Sequence, residues 1–200
     1  TSTQMTVQFS PDNFNTLAVQ RTCEYKGYNK SRVQNDLLFV YDYLAEEYAY
    51  FGSEPYLEKA DIKKKERANV ARKIAAKQQE EKEKQLEMFE ANINNDMDFP
   101  VEEYGQYELQ KMGRLTEDIF AFQEDFQLEG LVKRAGKNYI LEVGKLIGGQ
   151  VALQEKEAER TVDIYMPFPR SFANHLTINL PLGYQVEGLD KLNYQVENIT

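Results

Sequence analysis

The chain holds one cysteine, Cys23, and one histidine, His175. A thiol and an imidazole can form a nucleophile and its base, the imidazole taking the thiol proton. Around Cys23 the sequence alternates: Leu17, Val19, Cys23 and Tyr25 fall on one side of an extended run, with Arg21 as the interruption. A thiol on the apolar side of a strand is buried and inert. A nucleophilic one needs a helix N-terminus or a nearby cation to lower its pKa. His175 opens a second alternating run, so the pair reads as structural. One Cys and one His are also too few for zinc sites of the Cys/His type.

A second candidate is the stretch "KNYILEVGKLIGGQ", residues 137 to 150. A phosphate loop needs Gly-x4-Gly-Lys followed by Ser or Thr, so that backbone amides wrap the phosphate and the hydroxyl holds magnesium. Here Gly136 and Gly144 stand too far apart, and Leu146 follows Lys145. The glycines at 144, 148 and 149 also miss the dinucleotide spacing. The stretch is expected to be a strand running into a turn. Asp96, Asp98, Glu102 and Glu103 lack the Asp-x-Asn/Asp-x-Gly order of a calcium loop and read as solvated surface. "NKS" at 29 and "NIT" at 198 match the glycosylation triplet, which has meaning only in a eukaryotic secreted protein. No residue earns a catalytic, cofactor-binding or metal role, and no cofactor is expected.

The elements that would position these residues follow from periodicity. Met5, Val7 and Phe9 alternate, "SPDN" breaks the run, and Leu17 to Tyr25 resumes it: a β-hairpin. Asn29 or Ser31 can cap a helix. Val33, Leu37, Tyr41, Leu44 and Tyr48 then recur every three or four residues, giving one helix of about five turns that Gly52 and Pro55 end. Residues 57 to 93 are rich in helix formers and charge. Val70 and Ile74 begin an apolar stripe, but residues 77 to 85 hold no apolar side chain. That is expected to be a solvated helix rather than a coiled coil, with Val70, Ile74, Leu86 and Phe89 as the side available to a partner. Basic residues precede acidic ones along it, against the helix macrodipole. From Tyr107 to Gly130 the alternation is partial, "KRAGKN" is a turn, and "TVDIYMPF", "HLTINL" and "GYQVEGL" read as three more strands.

Composition sets the outer bounds. A net charge of −9 and pI near 4.8 argue against nucleic acid as a partner. Thirteen Tyr and eleven Phe with no Trp favour sheet packing. No run of about 18 apolar residues could cross a membrane. The start at Thr1 and the break-off within "NYQVENIT" suggest a piece of a longer protein. The expected fold is α+β: an antiparallel β-sandwich with a long helical insertion. Its parts are an N-terminal hairpin over 1–27, a helical segment over 28–100 and a sandwich-like module over 101–200.

Three phrases together, "KGYNKSRVQNDL" (26–37), "LEGLVKRAGKNYILEVGKLIGGQ" (128–150) and "RTVDIYMPFPRSFANHLTINLPLGYQVEGLDKLNYQVEN" (160–198), carry a resemblance. They resemble the region after the catalytic core in large transglutaminase-like proteins of Bacteroidota, which flank that core with β-rich domains of unknown function. The resemblance implies a periplasmic or outer-membrane place, a Cys-His-Asp core outside this chain, and partners among the parent's other domains or a membrane-associated complex. Neither Cys23 nor His175 stands in the motifs of that core. The expected function is a non-catalytic accessory module. The alternatives are part of an active cysteine-type acyltransferase or protease, or a subunit of an outer-membrane assembly.

Overall fold

A computed structural model describes residues 1–97, 101–115, 118–148 and 169–193, with the single residues 159, 161 and 195. The N-terminal hairpin forms as its alternation predicts: β1 (Ser2–Phe9) pairs antiparallel with β2 (Thr16–Tyr25). Asn13 shapes the turn, its Oδ1 accepting from the Asn15 amide at 3.0 Å. Four helices follow: α1 (Gly27–Leu37), α2 (Val40–Tyr50), the single turn α3 (Tyr56–Lys59) and α4 (Lys64–Asp96). Next come β3 (Val101–Met112), β4 (Phe120–Glu129), a small hairpin of β5 (Val132–Ala135) and β6 (Asn138–Leu141), and finally β7 (Ala173–Asn179).

The five long strands make one sheet in the order β3-β4-β2-β1-β7. All neighbours are antiparallel except β1 and β7, which run parallel. The α+β class is therefore as expected. Two facing sheets are not present among the described residues, and the side-chain pattern explains why. One face carries Met5, Val7, Leu17, Val19, Cys23, Phe120, Phe122, Phe126 and Leu128, all buried. The other carries Gln4, Gln8, Gln20, Gln123, Asp125 and Gln127, together with Thr6, Thr22 and Thr177. A second sheet packs only on an apolar face; this one suits water, as antiparallel sheets allow. The hairpin of residues 1–27 and strands from the C-terminal half lie side by side in this sheet.

Helices cover the apolar face. Residues 29 to 48 are two helices rather than the single one their spacing suggested. Neither Asn29 nor Ser31 is the N-cap, which is Lys26, without a side-chain bond. The chain breaks at Leu38–Phe39, where the Phe39 amide donates to Asp42 Oδ2 at 2.7 Å and so opens α2. What holds the break is Gln85 of α4, 1% exposed. Its Nε2 donates to the Leu37 carbonyl and to Asp42 Oδ2, each at 2.7 Å, and its Oε1 accepts from the Tyr107 hydroxyl at 2.6 Å. All of its polar atoms find partners, which is what a buried amide requires.

α4 divides into two parts. Gln85, Phe89 and Ile93, spaced by four, are buried against the sheet, followed by Met97. Phe89 stacks on Tyr107 with ring centroids 4.1 Å apart and meets Phe122 edge-on at 4.9 Å. The N-terminal part, from Lys64 to Lys84, has no buried residue. Phe89 is thus core rather than partner surface, because β3 lies directly beneath it. β3 itself has three register shifts, so its inward residues Tyr104, Tyr107 and Leu109 do not keep period two. Those bulges are why the sequence shows no clean strand there.

Of the C-terminal strands expected, "HLTINL" is β7. "GYQVEGL" is a turn and irregular chain leading into a short 3-10 turn at Leu189–Leu192, since Gly183 and Gly188 take positive φ. "TVDIYMPF" lies outside the described residues apart from Thr161. Gly113 ends β3 with φ +67°, and a Cβ there would come within 2.9 Å of Gln34 Nε2. That closeness lets Gln34 donate to the Met112 carbonyl at 2.6 Å, tying α1 to the β3–β4 turn.

The two parts of α4 should respond differently to truncation. Phe89→Ala is expected to destabilise the chain by about 3–5 kcal/mol, as for a fully buried aromatic. Ala71→Gly, on the exposed part, should cost no more than about 1 kcal/mol. Urea unfolding of both variants measures the contrast, and equal costs would mean the helix is docked along its whole length.

Candidate functional site

The register separates the thiol from the imidazole. Cys23 pairs with Thr3, which pairs with Asn174; His175 pairs with Gln4. Register partners share a face, so Cys23 points into the helix-covered side and His175 to the exposed side, two strands away (about 10 Å). No proton can pass directly between them. Cys23 is fully buried, and its thiol is pushed up to about 11. Burial is the main cause; Arg21 pulls the other way, while Glu124 and Asp96 add to the rise.

Lys145 sits in a short 3-10 turn, Val143–Ile147, and pairs with Glu142 at 2.9 Å. The stretch is a strand (β6) followed by a turn, as its spacing implied. Gly148 ends that turn with φ +81°, and a Cβ on it would reach within 2.7 Å of the Asp96 carbonyl. Gly148 thus serves close backbone approach, whereas a Cβ on Gly136 or Gly144 would meet nothing within 4 Å. The acidic residues scatter: Asp96 turns to Arg21, and Glu103 accepts from Gln127 at 2.7 Å. Asp98 lies outside the described residues. Among the described residues no three Cys, His, Asp or Glu side chains come together as metal ligands.

What the sequence reading passed over is a buried charge cluster. Arg21 of β2 and Glu124 of β4 are register partners on the covered face, 4% and 1% exposed. Arg21 Nε donates to Glu124 Oε1 at 2.5 Å, and its Nη1 to Asp96 Oδ2 at 3.2 Å. The Tyr104 hydroxyl donates to Glu124 Oε2 at 3.0 Å. Burial works against the Arg21 charge, but the anionic forms of Cys23, Glu124, Tyr25 and Asp96 outweigh it and hold its pKa above the usual range. Burial drives Glu124 up from the ordinary carboxyl value, against the pull of Arg21 and the Tyr104 hydrogen bond. A signal for the pair was present: each is the single charged residue in phase on an apolar strand face, Arg21 between Val19 and Cys23, Glu124 between Phe122 and Phe126.

This cluster lies under α4 and holds the layers together; none of its residues lines either of the two clefts described next. The concave surface lies elsewhere. One cleft, about 350 Å³, sits on the polar sheet face over Ala18 and Gly105, bordered by Gln8, Gln20, Asp125 and Gln127. Another, about 300 Å³, lies between the start of α2 (Phe39, Tyr41, Asp42) and α4 (Ala75 to Gln85). The second is lined mainly by polar groups, the first by a mixture of polar and apolar ones, and neither holds a nucleophile–base pair.

No protein-family model, no curated protein and no solved structure matches the chain.

Two measurements follow from the cluster. Arg21→Met alone leaves Glu124 buried without its partner and should cost about 3–5 kcal/mol, whereas Arg21→Met with Glu124→Leu should recover most of that loss. Denaturant unfolding of the double-mutant cycle decides it; a double variant no more stable than the single one would show that the charges themselves organise the core. The second measurement is the melting temperature from pH 8 to 12. A folded pKa raised above the unfolded one gives stability that is present below the unfolded value and lost as pH climbs through the folded value. For Cys23 that window runs from about 9 to about 11. Tyr107, pushed up to about 12 mainly by burial, acts in the same sense. The chain should therefore melt progressively lower above pH 9, and Cys23→Ala should flatten the first part of the fall. A flat profile in the parent chain would contradict the buried thiol.

Proposed function

We propose that this chain is a non-catalytic accessory and interaction module of a larger, transglutaminase-like extracytoplasmic protein of Bacteroidota, placed in the periplasm or at the outer membrane. The observation that carries the non-catalytic part is the placement of Cys23 and His175 on opposite faces of one sheet, with the thiol fully buried. The three resembling phrases carry the family part. One of them supplies α1, which ties the helices to the β3–β4 turn, and another supplies the β5–β6 hairpin and its following turn. Its partners are other domains of the parent and a membrane-associated complex.

In the second reading the parent is an active acyltransferase or protease whose catalytic residues lie outside this chain, and this module borders its substrate cleft. The exposed clefts favour it, because they offer concave surface to a neighbour without a nucleophile–base pair of their own.

The test uses the parent protein and an amine-incorporation assay. Under both readings Cys23→Ala leaves any activity unchanged. Abolished activity in a Cys23→Ala protein that still melts cooperatively would overturn the non-catalytic assignment. Steady activity with Cys23→Ala, combined with loss on truncating this module, would favour the second reading.

A further inference from the structure

The exposed part of α4 carries a charge distribution that the rest of the molecule does not. From residue 63 to 77 there are seven cations, Lys63, Lys64, Lys65, Arg67, Arg72, Lys73 and Lys77, against one acid, Glu66. That stretch is +6 in a chain of net −9, so the other residues together carry −15. Lys77 pairs with Glu80 at 3.2 Å. The other six cations are exposed and make no ion pair within the described residues. The neighbouring acids Glu54, Glu58 and Asp61 lessen the excess without cancelling it: residues 54 to 77 still net +4.

Distance keeps this charge separate. Lys64 precedes Gln85, where the helix meets the sheet, by 21 residues, or about 32 Å of helix axis. At physiological ionic strength the screening length is about 8 Å. A surface approaching the free end feels the cations and little of the acidic sheet. Unpaired like charges packed onto one helix repel one another and are relieved when an anionic surface neutralises them.

We propose that residues 63–77 dock this protein onto a bilayer surface bearing anionic lipid headgroups. Charge holds the contact, since Val70 and Ile74 are half-buried and the helix has no broad apolar face to insert. The chain adds a second feature suited to the interface. α2, which has no buried residue, ends at Tyr50 and is followed by Phe51, the two rings 58% and 66% exposed and packed edge-on at 5.0 Å. Exposed aromatic rings are side chains that settle at headgroup depth. A second copy of the chain fits the stretch less well. The outward side chains of α4 are charged, amide or alanine apart from Leu86, too little apolar area for a stable dimer. The rest of the chain, at −15, disfavours nucleic acid lying along the molecule.

The experiment is co-flotation of the full chain with vesicles of phosphatidylcholine alone or with phosphatidylglycerol added, across a salt series. Binding is expected only with phosphatidylglycerol, and it should fall steeply as salt rises. The exposed-residue variant K63Q/K64Q/K65Q/R67Q should bind roughly fivefold more weakly per cation removed, the equivalent of about 1 kcal/mol each, and so by more than about a hundredfold in all. Far-UV circular dichroism and the melting temperature check that it folds like the parent. The control E83Q/E87Q/E90Q should keep full binding. Equal binding to both vesicle types, no binding to either, undiminished binding by the lysine variant, or loss in the control would each overturn the proposal. So would vesicle-independent dimerisation through this stretch in sedimentation, or retention on duplex DNA without retention on vesicles.

Discussion

Arg21 and Glu124 face each other across β2 and β4, two neighbouring strands at the middle of the sheet, and the rest of the structure closes over them. Two opposite charges placed in an apolar layer are costly unless each finds the other and further hydrogen bonds reach them. Tyr104 from β3 takes the second oxygen of Glu124, and Asp96 from the end of α4 takes the outer side of Arg21. Three strands and the long helix are thereby tied to one point. On either side of it the apolar residues fall into two groups. One surrounds Phe89, Phe120 and Phe122; the other surrounds Met5, Val19, Ile93 and Leu128. The charge pair is the seam between them.

The same constraint fixes where α4 can lie. Asp96 must reach Arg21, Phe89 must stack on Tyr107, and Gln85 must meet Leu37, Asp42 and Tyr107 at once. These contacts span three turns and leave no freedom for the helix to slide. They also place the break between α1 and α2, since the Leu37 carbonyl exposed by that break is the one that accepts a hydrogen bond from Gln85 Nε2. N-terminal to Gln85 no residue of the helix is buried among the described residues, and its composition changes accordingly, from aromatic and aliphatic anchors to charge, amide and alanine. A helix docked at one end and charged at the other is a natural lever between a folded sheet and an external surface. This link from sequence through packing to function underlies the membrane proposal.

The polar face of the sheet belongs to the same account. The row Gln106, Asp125, Gln20, Thr6 and Thr177 crosses all five strands in register, and within it Gln20 and Gln106 both donate to Asp125. Such rows hold strands together in water without asking for a covering layer. A module built this way has one surface committed to its own core and another free to face solvent or a neighbouring domain.

The sequence by itself determined the elements with a clean period: the N-terminal hairpin, the β5–β6 turn, β7, the presence of helices over residues 28 to 96, and the burial of Cys23. Alternation and turn residues are local, and local rules suffice for them. Tertiary structure alone decided the rest. β3 was hidden because its three bulges move its inward residues off period two. Gln85 was hidden because a buried amide looks like any surface glutamine until its three partners, far apart in sequence, are assembled. The separation of Cys23 from His175 depended on register across three strands and on the parallel pairing of β1 with β7, which joins residues about 170 positions apart. Among the described residues no second sheet faces the five-stranded one, because the outer faces of its strands, read together, are mainly polar, a property that no one strand displays.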